Sequence, residues 1–384
     1  MIKPRATAAA SSYRDRNDHT VLVLQGGGAL GAYQAGVYEA MSDVGFAPDW
    51  VTGVSIGAIN AALIAGNPVE RRLPRLRAFW ERVSSGLPLL LPPALDPLRI
   101  AFNRFSATAT TVLGVPGFFR PRMPPPYFAA RGTEAALSFY DTTPLRETLG
   151  ELVDFELINA KNLRFAVGAV HVTSGNSVYF DNYLYDKPIG PEHVMASGAL
   201  PPGFAPVTID GEPYWDGGLV SNTPLWYVLD DDRHLEALIL QVDLFSANGD
   251  MPTNLNEVLE REKDIQYSSK TRFNTKRVKE LETLRGALRR VLASLTVKLR
   301  DSPDAALLAN VLEERKVSVV QLINRRFQHS SESKDYEFSR ATVRMLWDAG
   351  REAVHRTVAH PDWQRACSSA LGLHAFDLAG EQTS

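Results

Sequence analysis

The chain has 384 residues, 45% of them hydrophobic, which is enough apolar material to bury a large core in one main domain with an appendage. Its 41 Lys and Arg nearly balance 44 Asp and Glu, for a formal net charge of −3, so overall charge gives no case for a nucleic-acid partner. A single cysteine, Cys367, excludes an internal disulfide and points to a reducing compartment, the cytoplasm; with no paired motif around it, it reads as inert.

Residues 1–19 contain no apolar signal core and read as a mobile leader, ahead of a body at 20–247 and a mainly helical region at 248–384. No apolar run approaches the roughly 18 residues of a membrane-spanning helix. The eight histidines show no metal-ligand spacing, so neither a metal site nor a cofactor is expected.

Two strand–turn–helix units lie between Val21 and Asn67. Val21 to Leu24 is a short unbroken apolar run, as in a strand buried on both faces, and Gly26, Gly27 and Gly28 follow it. Leu30, Tyr33, Val37 and Met41 then recur at helical spacing. The second unit runs from Val51 to Val54 into Gly53-Val-Ser-Ile-Gly57, and then into a helix from Ile59 to Ala65 that is apolar on every side. Glycines two before and two after Ser55 let a helix approach the strand and present the hydroxyl at the end of the sheet, beside a positive helix N-terminus. Ser55 is therefore a candidate nucleophile, against the plainer reading of a turn serine.

The triple glycine has competing readings. Gly26, Gly28 and Gly31 match a dinucleotide-binding fingerprint, but the acidic residue that should end the second strand is missing: that strand ends in Gly-Val-Ser, and Asp49 precedes it. The other reading is a loop of bare N–H groups able to hold an oxyanion beside Ser55; a tight turn with close helix packing fits either.

From Leu87 to Tyr127 the chain is proline-rich yet strongly apolar, which suits a lid or the wall of an acyl-chain groove as well as a long connection packed on the body. A short helix is expected at 142–149, strands at 163–172 and 177–180 joined by the turn Thr173-Ser-Gly-Asn, a short helix at 192–198, and a strand at 235–245. Between the last two lies Tyr214-Trp-Asp-Gly-Gly-Leu219. Alone, Asp216 followed by Gly217 and Gly218 is an ordinary turn. A serine nucleophile needs a proton acceptor, however, and His171, His193 and His234 all lie outside turn-rich motifs and read as structural. A partly buried carboxylate can take the proton instead, its affinity for it raised by burial.

Gly26-Gly-Gly-Ala-Leu-Gly31, Gly53-Val-Ser-Ile-Gly57 and Asp216-Gly-Gly218, in that order, resemble the three signatures of the patatin-like phospholipase family. Ala196-Ser-Gly-Ala-Leu-Pro-Pro-Gly-Phe-Ala-Pro206 is similar to the segment that precedes the family's aspartate. The resemblance spans about Thr20 to Phe245. It implies an α/β protein with a three-layer α/β/α fold, a mostly parallel central sheet and a largely helical C-terminal extension. It also implies hydrolysis of lipid acyl esters by a Ser55–Asp216 dyad, with Gly26, Gly27 and Gly28 as the oxyanion hole. Many family members carry Lys or Arg where Leu30 stands, so a cation that would aid headgroup binding is absent from that position. The same acyl-enzyme would permit acyl transfer, and a vestigial site would leave a lipid-sensing protein.

From Arg261 to Arg300 there are twelve Lys and Arg against four Asp and Glu. Leu284, Leu288, Val291, Leu292, Leu295 and Leu299 share one helical face there, which can pack on the core or lie on an anionic membrane surface, giving peripheral membrane contact. A strand is expected at 317–323 and a helix at 336–358. Asp335-Tyr-Glu-Phe-Ser-Arg-Ala-Thr342 is similar to a domain of unknown function that follows patatin domains in bacterial proteins.

Overall fold

A computed structural model describes residues 19–85, 106–231, 236–268, 271–294, 302–304, 308, 316–325, 334–367 and 372–380. The strands are β1 (His19–Leu24), β2 (Trp50–Gly53), β3 (Arg120–Pro121), β4 (Tyr140–Asp141), β5 (Arg164–His171) and β6 (Ser177–Asp181). They continue with β7 (Val207–Ile209), β8 (Glu212–Asp216), β9 (Glu236–Asp243), β10 (Lys316–Ile323) and β11 (Gly372–Phe376). The main sheet runs β11-β10-β9-β1-β2-β5-β8-β7, with β6 also on β5. Strands from β11 across to β5 are parallel, while β6, β7 and β8 are antiparallel additions. The protein is thus α/β with a mostly parallel central sheet.

Alternation along the strands sets the two faces. Leu22 and Leu24 of β1 join one core with Leu238, Leu240 and Val242, whereas Val21 and Val23 join a second core with Ala237, Ile239 and Val319. Both faces are buried, which is why these strands read as continuous apolar runs. The larger core is covered by α1 (Ala32–Asp43), α2 (Ile56–Ala65) and α3 (Val69–Val83); α4 (Pro191–Ser197) packs on β5. The smaller core is covered in part by Leu225 and Val228 of the short helix Leu225–Leu229.

The pairing around β5 positions the site. One edge of β5 carries β6 from Ala166 to Val170. The opposite edge carries β2 from Arg164 to Val167 and then β8 from Ala169 to His171. The end of β2, opposite Val167, and the end of β8, opposite Ala169, therefore meet along one strand edge.

The region beyond residue 248 adds to this same sheet. Strand β10 lies parallel to β9, and β11 to β10. The helix α5 (Leu255–Tyr267) follows β9, and α6 (Arg340–Ala359) crosses α1 at close range. A Cβ on Gly36 would lie 1.9 Å from Trp347 O, and one on Gly350 would lie 2.1 Å from Tyr33 O. Leu346, Ala349 and Ala353 enter the same core as Val37 and Met41. Within the basic stretch, the helix Thr271–Ser294 leaves Leu284 and Val291 more than half exposed, so those two positions are not packed on the core. Residues 295–300 lie outside the described residues. Among the described residues no helix is long and apolar enough to cross a membrane, and no cluster of three His, Cys, Asp or Glu could hold a metal ion.

The α1–α6 crossing gives a test of sign. In an exposed helix, Gly→Ala stabilises by about 1 kcal/mol. At Gly36 the methyl would strike a backbone carbonyl, and such overpacking costs about 1–3 kcal/mol. Gly36→Ala is therefore expected to lower the urea unfolding midpoint, measured by circular dichroism.

Candidate active site

Ser55 stands between β2 and α2, with φ 56° and ψ −125°. A non-glycine residue at positive φ costs roughly 1–3 kcal/mol and persists only where its surroundings hold it. Here the Ser55 N–H donates to Ser197 O at 3.1 Å and lies 3.1 Å from Ser197 Oγ, while Ser197 Oγ–H donates to Gly168 O at 2.6 Å. The flanking glycines account for the sharpness of the turn. A Cβ on Gly53 would sit 2.3 Å from Gly57 C and O, and one on Gly57 would sit 2.3 Å from Leu24 O. The two glycines of the motif thus touch each other across the turn, and α2 rests against the end of β1.

Asp216 ends β8 and is 2% exposed. Its Oδ1 accepts from the Gly218 N–H at 2.7 Å, and it lines the same cavity as Ser55. Gly217 follows with its Cα against β5, where a Cβ would lie 2.6 Å from Gly168 O. Burial pushes the Asp216 carboxyl up to about 7, although the Gly218 N–H and the Ser55 hydroxyl act in the opposite direction. Such a group has a proton affinity suited to a general base near neutral pH.

The glycine loop lies against this pair. Gly26 N–H donates to Asn222 O at 3.1 Å, and Asn222 Nδ2 donates back to Gly26 O at 3.0 Å. The expectation that all three amides hold an oxyanion is therefore narrowed: Gly26 spends its donor on Asn222. Among the described residues, Gly27 and Gly28 N–H have no hydrogen-bond acceptor, and both glycines line the cavity beside Ser55. Gly28 has φ 53°, and a Cβ there would strike Asp335 O at 2.2 Å. Gly31 is a packing glycine, its Cα against Ile56. The loop is braced from behind by Gln25, whose Nε2 donates to Thr223 Oγ1 at 2.8 Å and Tyr267 O at 3.0 Å.

The cavity has a volume of about 220 Å³. Ser55, Asp216 and the three glycines form one wall; Ile56, Ile59, Leu200, Phe204 and Phe245 make much of the rest apolar. Phe118 and Phe119, from the proline-rich segment, also line it, so the described part of that segment supplies walls. Residues 87–105 of it lie outside the described residues. The C-terminal region contributes Lys263, Tyr267, Asp335, Tyr336 and Phe338. Lys263 Nζ donates to Asp335 Oδ1 at 2.6 Å, so a cation reaches this cavity from α5 although Leu30 occupies the loop position.

The histidines are elsewhere. His171 Nε2 is 2.9 Å from Glu212 Oε2, and its Nδ1 is 2.8 Å from Ser174 Oγ. His193 Nδ1 accepts from Gly190 N–H at 2.9 Å, and burial lowers its affinity for a proton. Neither lines the cavity, and His234 lies outside the described residues. Sequence reading missed Asn222, Ser197 and the share of Phe204 and Phe338 in the aromatic wall. The only signal for Phe204 was its place in the Pro-Pro-Gly-Phe segment, and Asn222 carried none.

Family models match in two places: one described as patatin-like phospholipase over residues 22–229, and one described as patatin phospholipase over residues 265–370. No curated protein matches the chain. Among solved structures, VipD from Legionella pneumophila is similar at 15% identity, over 87% of this chain and 67% of its own, with a TM-score of 0.35.

Burial of Asp216 has a consequence for stability. Its pKa is raised on folding from the ordinary carboxyl value of 3.8 to about 7, so ionising it in the folded protein is unfavourable. The cost is absent below about pH 4, grows as pH rises, and is complete above about pH 7. Asp216→Asn keeps the acceptor for Gly218 N–H and removes the charge. It is expected to be more stable than the parent by on the order of 2–4 kcal/mol at pH 8, the difference fading towards pH 4, measured by urea unfolding across that range.

Proposed function

Because the chain belongs to the patatin-like phospholipase family, we propose that it is a serine acyl hydrolase that cleaves lipid or other fatty acyl esters through Ser55 and Asp216. The observation that carries this reading is Ser55 and a buried Asp216 brought together in the lining of one largely apolar cavity. As Ser55 Oγ attacks the ester carbonyl, the ionised Asp216 takes its proton. The carbonyl oxygen becomes an oxyanion, which the Gly27 and Gly28 N–H groups stabilise. The tetrahedral intermediate collapses, the C–O bond to the alcohol breaks, and Asp216 returns the proton to the leaving oxygen. Water then attacks the acyl-enzyme with Asp216 again as base. Fatty acid leaves and Ser55 recovers its proton.

The cavity suits this sequence of steps. Aromatic and aliphatic side chains line much of the space around the reacting groups, and that low-polarity lining strengthens the hydrogen bonds at the oxyanion. The strained Ser55 backbone and the turn before α2 point the hydroxyl into that space. No histidine is needed between serine and carboxylate, because burial has already raised the carboxylate's affinity for the proton.

Purified protein is expected to hydrolyse p-nitrophenyl acyl esters and to be labelled by a fluorophosphonate, with both lost in Ser55→Ala while the circular dichroism spectrum is kept. The base must be ionised, so kcat/KM should rise with pH through a single step near 7, the value to which burial pushes Asp216. Turnover retained in Ser55→Ala, or a rate independent of pH between about 5 and 9, would remove the dyad from the mechanism.

A further inference from the structure

A second cavity, of about 260 Å³, lies beside the one that holds Ser55. Its lining is mainly apolar, with Val83, Ala109, Leu113, Val115 and Pro144 among the contributors. The two cavities share two lining residues, Phe119 and Phe338. Each of these rings is nearly fully buried, at 3% and 5% exposure, so they stand as a wall between two spaces and not as a rim facing water.

Both rings are held in place. Phe119 packs against Tyr140 at 4.7 Å and Phe204 at 5.3 Å between ring centroids, and its backbone is clamped by hydrogen bonds with Val115 at 2.8 and 3.1 Å. Phe338 meets Phe118 edge-on at 6.0 Å. The residue before it, Glu337, accepts from Ser106 Oγ at 2.6 Å and from Ser339 N–H at 3.0 Å, which ties this part of the C-terminal region to the segment lining the second cavity.

We propose that Phe119 and Phe338 form a partition that sets the acyl-chain length the site accepts, restricting it to short and medium chains. This rests on the reading of Ser55 as the acylated residue. An apolar cavity of about 150 Å³ holds a benzene ring, so by proportion the first cavity takes roughly eight to ten carbons. A longer chain kept out of water needs the space beyond the two rings, and removing either ring would join the cavities and roughly double the room. One ring comes from the proline-rich segment and the other from the C-terminal region, so these two segments jointly define the substrate.

The test compares p-nitrophenyl butyrate, octanoate and palmitate as substrates for the parent, Phe119→Ala, Phe338→Ala and Phe204→Ala. Phe204 lines the first cavity and not the second. The parent should favour octanoate over palmitate, and the ratio of palmitate to butyrate turnover should rise about tenfold or more in Phe119→Ala and Phe338→Ala. Phe119→Leu serves if the alanine variant does not fold, with a smaller shift in the same direction. In parallel, butyric, octanoic and palmitic acids compete with a fluorescent fatty acid for Ser55→Ala, alone and combined with each phenylalanine variant. This readout needs no turnover. A parent that hydrolyses nothing, is not labelled by fluorophosphonate, yet shows the shifted binding profile would remove the serine chemistry and keep the partition. Unchanged chain-length profiles in both alanine variants would overturn the proposal, as would an equal shift from Phe204→Ala.

Discussion

Strand β5 gives the first part of one edge to β2 and the last part to β8, and that division brings a serine turn and an aspartate to the same point. The two strands arrive from opposite directions, parallel and antiparallel, with Gly168 of β5 between their ends. Gly168 O accepts from Ser197, which in turn holds the Ser55 backbone, and the close approach of Gly217 to the same carbonyl fixes the residue after Asp216. The proposed dyad therefore depends on backbone register more than on side-chain packing. Shifting either strand by one residue would turn its side chains to the other face of the sheet.

Burial does the rest. An exposed aspartate is too weak a base to take a serine proton near neutral pH, and the same group withdrawn from water is not. The energetic cost of holding a carboxylate in that position, and of holding Ser55 at positive φ, is carried by the large two-faced core around β1, β2, β5 and β9. The C-terminal region belongs to this arrangement. It extends the sheet by two strands, crosses α1 at glycine contacts, and lays Asp335, Tyr336 and Phe338 over the glycine loop and cavity.

Much of this was legible in the sequence. Apolar runs gave β1, β2, β5, β9 and β10 to within a few residues, because strands buried on both faces leave little room for polar side chains. The spacing of Gly53 and Gly57 was legible because it has one mechanical cause, two backbones in contact. The short strands β7 and β8 were not, since five residues with a proline and a terminal Asp-Gly-Gly look like a turn; only the pairing with β5 makes Glu212–Asp216 a strand. The engagement of Gly26 with Asn222, almost two hundred positions away, had no local sign. Of the aromatic wall, the proline-rich segment carrying Phe118 and Phe119 could be read as a groove wall, but its meeting with Phe204 and Phe338 from two other segments could not.

The central claim is that the carboxyl of Asp216 loses its proton near neutrality because the fold has taken it out of water. Carbon-13 NMR of the γ-carboxyl in aspartate-labelled protein, assigned by comparison with Asp216→Asn, reads that ionisation directly. The expected result is one carboxyl, absent from Asp216→Asn, that titrates with a midpoint of about 7, above the ordinary carboxylate value of about 3.9. A midpoint for Asp216 in that ordinary carboxylate range would contradict the account.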